Sequence, residues 1–431
     1  MIYAYLIFDL LCFGIGRTVY KNYFNPVCLY ALVWGVALLT HQSGFIVFYE
    51  LQWYTWALIF GTQFLFTTVN LFFMRVTEKQ KTDTLYKKTD LRLQKKYIKI
   101  YILVTCFLAG IAVVYNYIAF ARVYGFNLLS AINQIYADRV NQAVQIRTIP
   151  YLGALTFVSI PLCGIYTKRF GFSLLLLFPF ILEAMKALTT GGRAGLIFIM
   201  ILFVASYFSA TSPARKKLQW QKKVLLSVGV CAIAGVVAVM TFTRTSGASI
   251  PFASPLYKKV FGDNAFLYKV FQYIGAPIGT LNEYLKTCEF HFGQNSFLPV
   301  YNFLSNLGLC ERIEQYQEFF NTPVPCNVGT WIRELIEDFT IPGALAAILL
   351  FSFVCAYFYY KAKQYDSVKS QIIWSVFALF IALSFFDWTL RSADMWIALF
   401  FGYVIGWRID RLSSVVGKTD RFESSCPDLP D

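Results

Sequence analysis

Apolar residues recur along the chain in runs of 14 to 22 residues, separated by more polar connections. A helix needs about 20 apolar residues to cross the hydrocarbon core of a bilayer, so each run predicts a membrane helix. The predicted spans cover residues 2–16, 26–41, 53–74, 99–120, 149–166, 171–188, 194–209, 224–241, 341–360, 371–387 and 394–407. The pattern therefore predicts an all-α polytopic integral membrane protein with about eleven transmembrane helices.

Two segments between these spans are more than simple connections. In the first, 121–148, apolar residues recur at helical spacing with polar residues between them, which is typical of a helix that lies on a membrane surface. These apolar residues are Leu128, Leu129, Ile132, Ile135, Tyr136 and Val140. The second segment, 242–340, is large enough to hold a site, and long ordered loops are usually functional.

The long segment divides the chain into four parts. Residues 1–241 hold the first eight spans, 242–340 form the large loop, 341–407 hold the last three spans, and 408–431 form a tail. The loop contains Cys288, Cys310 and Cys326. In an oxidising compartment these cysteines allow a bridge between Cys310 and Cys326, with one cysteine left over.

The composition supports this class of protein. Hydrophobic residues make up 57% of the chain and charged residues 14%, about half the charged share of an ordinary soluble domain. So few charges cannot cover a water-facing surface, which excludes a soluble globular protein. The formal net charge of +14 would suit nucleic acid, but in a membrane protein it is first a topology signal.

The basic residues cluster in alternate connections, which the predicted threading places on one side of the bilayer. Those connections hold 25 of the 38 Lys and Arg residues and 9 of the 24 Asp and Glu residues. By the positive-inside rule that side is cytoplasmic, so the N-terminus is predicted outside and the C-terminus inside. The remainder carries 13 basic and 15 acidic residues, so the whole excess is an orientation signal and no nucleic-acid partner is predicted.

The sequence lacks the motifs of several common classes of enzyme. The sequence has no phosphate loop, no Gly-x-Gly-x-x-Gly after a strand, no His-Glu-x-x-His and no Asp-x-Asp pair. It therefore predicts no bound cofactor and no metal site. What it offers on the predicted outer face is a set of arginines, whose planar guanidinium groups bind phosphate oxygens without losing their charge. They are Arg122, Arg139, Arg147, Arg193, Arg244, Arg312, Arg333 and Arg391.

The neighbourhood of Arg193 is the most informative of these. In Thr189-Thr190-Gly191-Gly192-Arg193, an apolar run ends, two glycines allow a tight turn, and the arginine opens the next span. Backbone N–H groups at that helix start would add donors for an anion. Arg193 and Arg244 both lie where predicted spans end, and a charge at such a position needs a partner.

Carboxylates are concentrated near the end of the long loop, after Asn327-Val328-Gly329-Thr330. If residues 331–338 are helical, Glu334, Glu337 and Asp338 share one face. Their mutual repulsion raises the pKa of a carboxyl group and suits one of them to serve as a general base. A solvated acidic face beside Arg333 is the alternative interpretation.

The residues described above resemble the Wzy-type polymerases of O-antigen and capsule repeat units, which are related to O-antigen ligases. The resemblance rests on the many-helix layout with one long late loop, the Thr189–Arg193 turn, and the run from Asn327 to Gly343. Members of this family typically have Asn-x-x-Thr followed by Asp-Phe-Gly-x-x-Gly. In this chain Thr340 replaces the first of those glycines.

The resemblance implies a GT-C-like glycosyltransferase of the bacterial plasma membrane with its site on the extracytoplasmic face. Its donor and acceptor would be oligosaccharides linked to undecaprenyl pyrophosphate in the bilayer, with a chain-length regulator as a further partner. We assign Arg193 and Arg244 to the pyrophosphate, with Arg122, Arg139 and Arg333 as further candidates. For the base that takes the acceptor proton we name His291 and Asp338.

Three other functions compete with this one. An O-antigen ligase uses the same donor, but ligases tend to have a His-Asn pair in the long loop, and Phe292 follows His291 here. A transporter or flippase of the same lipid-linked sugar would be expected to show internal repeats, and this chain has none that we detect. An enzyme that uses a polyprenyl-phosphate sugar would need acidic residues in the first outer loop, where Glu50 stands alone.

Overall fold

The structure is a computed structural model that describes residues 1–79, 88–141, 143–192, 194–211, 249–313 and 317–415. These residues are mostly helical. The first eight helices are α1 (Ile2–Tyr20), α2 (Pro26–Gln42), α3 (Trp53–Lys79), α4 (Leu91–Tyr124), α5 (Ile132–Val140), α6 (Thr156–Phe170), α7 (Phe178–Thr190) and α8 (Ala194–Ser209). The later ones are α9 (Pro255–Phe261), α10 (Ala265–Tyr284), α11 (Leu298–Asn306), α12 (Trp331–Gln364), α13 (Val368–Leu383) and α14 (Ala393–Ser413).

Short elements complete the described part of the chain. Single 3₁₀ turns precede α6 (Leu152–Leu155), α7 (Leu174–Leu177) and α14 (Thr389–Arg391). Two small antiparallel pairs join β1 (Lys88–Thr89) to β4 (Ser414–Val415) and β2 (Phe320–Asn321) to β3 (Pro325–Cys326). The β1–β4 pair fastens the start of α4 to the end of α14.

Side chains in the sequence define where several helices begin. The amide oxygen of Asn25 accepts a hydrogen bond from the backbone N–H of Cys28, and Pro26 occupies the first position of α2. Asp90 caps α4 and Thr330 caps α12 in the same way. Such caps satisfy N–H groups that the helix itself leaves without partners, and they explain why the helices start at these residues.

The apolar helices support a membrane-embedded protein. Four described helices are long and apolar enough to cross a bilayer, namely Ile2–Tyr20, Trp53–Thr77, Leu91–Tyr124 and Trp331–Gln364, and α2, α8 and α13 are shorter apolar helices. Ten of the eleven predicted spans fall on described helices. The eighth, 224–241, lies outside the described residues, and the number of crossings stays a prediction.

The basic connections meet at one end of the helical bundle, which we call the inner end. There Arg169 at the end of α6 binds the side chains of Gln94, Gln371 and Asp366. Asp410 of α14 accepts hydrogen bonds from the start of α13. The opposite end, where α4 and α7 finish and α14 begins, we call the outer end. Which compartment each end faces stays a prediction from charge.

Helix α13 lies at the centre of the bundle. Every residue from 370 to 381 is buried, and the helix packs against α2, α6, α8, α12 and α14. The apolar surface of this helix is therefore covered by other helices on all sides. Trp34, Trp331 and Trp374 are the largest fully buried side chains around it.

Helix α12 consists of two pieces joined by a sharp bend at Thr340, where φ is 62° and ψ is 176°. The first piece turns back along the second, since the ring centroids of Trp331 and Phe351 lie 5.1 Å apart. Trp331 is 1% exposed and also packs against Phe66 in the middle of α3. The last part of the predicted outer loop, 331–339, therefore lies inside the bundle rather than outside it.

The segment 121–148 also differs from its prediction. Helix α4 continues to Tyr124 and only the nine residues of α5 form a separate helix. Its apolar residues Leu128, Ile132 and Ile135 are buried, because α5 packs on the end of α7. Part of this apolar face therefore contacts protein, while Leu129 and Tyr136 of the same set are exposed.

Candidate functional site

A cavity of about 1350 Å³ opens among the outer helix ends, and we call it cavity one. Its walls come from α4, α5, the end of α7, the segment 144–154 and the connection 386–394. Thr189 and Thr190 of the glycine turn line it, and so do Asn327 and Val328. Two of the motifs that the sequence singled out therefore contribute to one cavity, although 136 residues lie between Thr190 and Asn327 in the chain.

Four basic side chains line cavity one: Arg139, Lys186, Arg312 and Arg391. Arg139 lies on α5, and its guanidinium donates a hydrogen bond of 3.2 Å to the carbonyl oxygen of Thr190. Gly191 permits this close approach of the turn to α5. It has a φ of 61°, and a Cβ there would lie 3.3 Å from the Ile132 carbonyl oxygen.

One face of α4 forms a wall of cavity one. Val113, Asn116, Phe120 and Tyr124 line it at helical spacing. At a rise of 1.5 Å per residue, this face extends along about 16 Å of the helix. The cavity therefore reaches from the polar outer rim down beside the apolar part of a helix that is long enough to cross a bilayer.

A second cavity of about 520 Å³, cavity two, adjoins the first. Arg312, Ile313, Gln317 and Arg391 line both, so the two cavities lie directly beside each other. Cavity two has aromatic, amide and carboxylate walls. They include Tyr284, Tyr301 and Phe320, then Gln294 and Asn295, and then Glu289, Glu311, Glu318 and Glu337.

Arg333, a predicted pyrophosphate ligand, lines cavity two. Its side chain is 3% exposed, and its Nε and Nη2 atoms each lie 2.8 Å from Oε1 of Glu337. The guanidinium also lies 4.7 Å from the ring centroid of Phe320. Its buried Nη1 has no hydrogen-bond partner among the described residues. Glu337 thus largely neutralises the charge of the Arg333 guanidinium, and within the described part of the chain Nη1 remains as a free hydrogen-bond donor.

The Asn327-Val328-Gly329-Thr330 motif now has a role at each position. Asn327 and Val328 line cavity one, and Thr330 caps α12. Gly329 makes room for Arg333, because a Cβ there would lie 2.5 Å from its Cδ atom. The motif therefore starts the inserted helix and positions the arginine of its first turn.

Asp338, one of the two predicted bases, is fully buried and lines neither cavity. Its carboxylate oxygens accept hydrogen bonds from the backbone N–H groups of Asn295 at 2.8 Å and Ser296 at 2.6 Å. A carboxylate held by two backbone donors is an anchor for the 291–297 segment. It has no route to a substrate hydroxyl in this arrangement, so this geometry does not favour Asp338 as the base.

His291, the other predicted base, lines cavity two. Its side chain is 48% exposed, and its Nε2 atom lies 3.8 Å from Oε2 of Glu289, which is itself 66% exposed. The backbone N–H of His291 donates to the carbonyl oxygen of Glu337. The imidazole therefore stands at the solvent-facing rim of the cavity.

A carboxyl pair lies beside cavity one and consists of Asp387, which lines the cavity, and Glu334 of α12. Glu334 is fully buried, and neither of its carboxyl oxygens receives an N–H donor from the described residues. Its carboxyl group hydrogen-bonds to that of Asp387, and the charge of Arg391 acts on both. Burial raises the pKa of Asp387, and its hydrogen bond with Glu334 and the nearby Arg391 lower it in part.

A second ionic group lies across cavity one. The ammonium of Lys186 is 2.8 Å from Oδ2 of Asp394 and 3.8 Å from Oε1 of Glu183. The hydroxyl of Thr156 donates to the other oxygen of Glu183 at 2.6 Å. Lys186 and Asp394 both line the cavity, so this pair joins the end of α7 to the start of α14 at its wall.

The remaining predicted residues do not join this site. Arg122 is exposed on α4 and lines neither cavity. Arg193 and Arg244 lie outside the described residues. Cys310 and Cys326 are free thiols, so the structure has no bridge between them, and burial raises the pKa of the Cys326 thiol.

Sequence reasoning missed several of the lining residues. Arg312 and Arg391 belonged to the outer arginine set, but nothing in their neighbourhood distinguished them from Arg147. Lys186, Asp387 and Asp394 stand at the ends of apolar runs, and a charge at such a place is a usable signal. Glu334 was recognised only as part of an acidic face, because its partner lies 53 positions away.

Among the described residues, no group of three or more His, Cys, Asp or Glu side chains is arranged to hold a metal ion. The chain matched nothing in comparisons with protein-family models, with curated proteins and with solved structures. The function must therefore be argued from the two adjacent cavities and the groups that line them.

Proposed function

We propose that this protein is a polymerase of lipid-linked oligosaccharide repeat units, acting on the outer face of the bacterial plasma membrane. It transfers the growing glycan from undecaprenyl pyrophosphate to a hydroxyl group of the next lipid-linked unit. The product is a surface polysaccharide, either O-antigen or capsule. A chain-length regulator is a further partner in this proposal.

The observation that carries the proposal is the convergence of separate motifs on cavity one. The glycine turn, the Asn327–Thr330 motif and α5 were singled out for their chemistry, and residues of all three line this cavity. Two explanations are possible when residues from distant parts of a chain line one cavity. They meet because the helices pack there, or because the cavity binds a ligand. A volume of about 1350 Å³ and four basic side chains favour binding.

The charges of cavity one suit a pyrophosphate. Arg139, Arg312 and Arg391 are fixed cations that need no metal ion to stabilise the negative charge on a leaving pyrophosphate. Arg193 follows directly after the glycine turn that lines the cavity, so we keep it as a ligand in this proposal. The lysine ammonium of Lys186 is already paired with Asp394 and contributes less.

The walls of cavity two suit a saccharide. Amide and carboxylate groups exchange hydrogen bonds with sugar hydroxyls, and aromatic faces pack against the C–H faces of sugar rings. Gln294, Asn295 and Gln317 supply the amides, and Tyr284 and Phe320 supply aromatic rings. We therefore place the sugar of the acceptor unit in cavity two, with Arg333 and His291 among its polar contacts.

The apolar tail of the lipid needs a path from the bilayer to cavity one. The lining face of α4 includes Val113 and Phe120, and Val144 and Ile146 line the opposite wall. A polyprenyl chain lying along this face would reach the cavity sideways. The segment 121–148 is then the gate that the tail passes.

A reconstitution experiment tests this function. The full chain is purified into vesicles with lipid-linked repeat units isolated from cells in which this chain is disrupted, since such cells accumulate its substrate. We expect a ladder of lengthened glycans on gel analysis. Transfer to lipid A core would instead indicate a ligase, and movement across the bilayer without lengthening would indicate a flippase. Either result would overturn the polymerase assignment.

A further inference from the structure

Beside cavity one lies a pair of carboxyl groups that the proposed function does not yet use. Asp387 follows the end of α13 and lines cavity one, while Arg391, four residues later, lines both cavities. Behind Asp387 lies Glu334, which is fully buried in the first piece of α12. Asp387 therefore faces cavity one beside Arg391, which borders both cavities.

The environment of Glu334 determines how the pair carries its charge. Two carboxyl groups at hydrogen-bond distance do not both ionise, because their charges repel. Glu334 is the more deeply buried and receives no N–H donor from the described residues, whereas Asp387 opens onto the cavity. Because the buried member of the pair loses more solvation on ionising, Glu334 is the group that keeps the proton and Asp387, at the cavity, is the group that ionises.

We propose that Asp387 is the general base that accepts the proton of the acceptor hydroxyl, with Glu334 as its positioning residue. This assignment rests on the proposed polymerase function. In the step, the hydroxyl oxygen bonds to the anomeric carbon of the donor as the bond from that carbon to the pyrophosphate oxygen breaks. The hydroxyl proton passes to the Asp387 carboxylate, and undecaprenyl pyrophosphate leaves with the electron pair.

The charged groups that face Asp387 suit this task. Burial raises the pKa of Asp387, which strengthens it as a base, while the Glu334 hydrogen bond and Arg391 limit the rise. A base is most effective when its pKa lies near the working pH. Arg391 stands beside the same carboxylate and lines cavity one, so one guanidinium serves both the base and the leaving pyrophosphate.

The two bases named from the sequence each lack a feature that Asp387 has, either access to a cavity or a position beside the arginines of cavity one. Asp338 is fully buried and anchored by two backbone N–H groups. His291 is open to solvent at the rim of cavity two, away from cavity one. Asp387 combines partial burial, a carboxyl partner and access to the cavity with the pyrophosphate-binding arginines.

The test measures chain extension by the full protein in vesicles, with the same lipid-linked units, across a range of pH. Asp387→Asn keeps the shape of the side chain and can still accept a hydrogen bond from Glu334, so the fold should be retained. We expect kcat to fall by about 100-fold or more with little change in KM. Asp263→Asn, an exposed outer residue that lines neither cavity, is the matched control and should behave like the native chain.

Glu334→Gln separates a catalytic pair from a structural one. Activity requires ionised Asp387, so it rises with pH through the pKa of that group. An amide is a weaker donor than a carboxylic acid, so this variant should move the rise to higher pH. Infrared spectra at neutral pH should show a protonated carboxyl band in the native chain that is lost in Glu334→Gln, whether or not the protein polymerises glycans.

The outcomes are distinct. Native kcat and an unchanged pH profile in Asp387→Asn would overturn the role of Asp387 while leaving the polymerase assignment intact. If kcat, KM and thermal stability of Asp387→Asn all deteriorated to a similar degree, Asp387 would have a structural role. That result would also overturn its role as the base. If the native chain lengthens no glycan although the infrared band is present, the polymerase assignment fails, and the base role fails with it.

Discussion

The two ends of the helical bundle use the same residue types in different ways. At the inner end, Arg169 connects α6 to Gln94 at the start of α4 and to Asp366 and Gln371 around the start of α13. At the outer end, Arg312 and Arg391 line both cavities, and Arg333 has a buried Nη1 without a partner among the described residues. The inner Arg169 joins helix ends, whereas these outer arginines lie around cavities.

This difference separates a structural arginine from a candidate binding arginine. Bringing a charge out of water costs free energy that a partner in the protein must offset. Arg333 keeps part of that cost in its buried Nη1, which is tolerated where a ligand supplies the missing contact. The comparison therefore predicts that outer substitutions change activity and that inner substitutions change stability.

The largest effect is expected for Arg312→Ala. The side chain is exposed and lines both cavities, so its loss should spare the fold and remove one fixed cation from the pyrophosphate. Loss of such a group costs about 100- to 1000-fold in rate. Chain extension in vesicles measures it, with Arg147→Ala, an exposed outer arginine that lines neither cavity, as control. Equal activity of the two variants would break the comparison.

The next effect is on stability, at the inner end. Arg169→Met leaves the side-chain oxygens of Gln94 and Gln371 without this donor and Asp366 without its ion pair. We expect a loss of about 2 to 4 kcal/mol in the free energy of unfolding, and normal kcat at a temperature where the variant is folded.

Thermal unfolding in detergent measures this loss. Arg411→Ala is the control at the same end, since Arg411 is exposed and only stacks on Trp407. It should cost less than about 0.5 kcal/mol. A stable Arg169→Met protein with low activity would contradict the structural role of Arg169.

A smaller effect is expected for Gly329→Ala. The new Cβ would lie 2.5 Å from Cδ and 3.2 Å from Nη1 of Arg333, which is held in place by Glu337. Displacing a buried, paired side chain costs about 1 to 3 kcal/mol. Gly61→Ala is the control, because nothing lies within 4 Å of its added Cβ. Thermal unfolding of both variants should show a loss only at Gly329.

The smallest expected effect is an increase in stability, at Thr340. Thr340 has a φ of 62° and a ψ of 176°, a conformation that costs a residue with a Cβ about 1 to 3 kcal/mol. Thr340→Gly should stabilise the protein by about 1 kcal/mol once the greater freedom of glycine in the unfolded chain is subtracted. Thr340→Ala keeps a Cβ and should bring no gain. A stabilised alanine variant would contradict strain as the cause.

Thr340 also shows what a motif can and cannot reveal. In the family that the chain resembles, a glycine stands at this position, and the structure has a backbone conformation here that favours glycine. The sequence alone presented Thr340 as a departure from the pattern. Only the backbone shows that the conformation is present and that threonine adopts it under strain.

The candidate site was predictable in its parts but not in its assembly. The glycine turn, Arg139, Arg333 and the Asn327–Thr330 motif were recognised from their residue types and positions. The pairing of Glu334 with Asp387 was not, since 53 positions separate them and no local pattern connects them. Asp338 was named as a base, but its two backbone partners lie more than 40 positions before it and no local pattern predicts them.

The sequence by itself determined which segments are apolar helices and which connections share an end of the bundle. Both depend on local properties, namely the length of an apolar run and the density of lysine and arginine beside it. Tertiary structure alone decided which arginines meet, which carboxyls pair, and that residues 331–339 return into the bundle. Those outcomes depend on how helices pack across the whole chain, where two side chains become neighbours only after every intervening helix has its place.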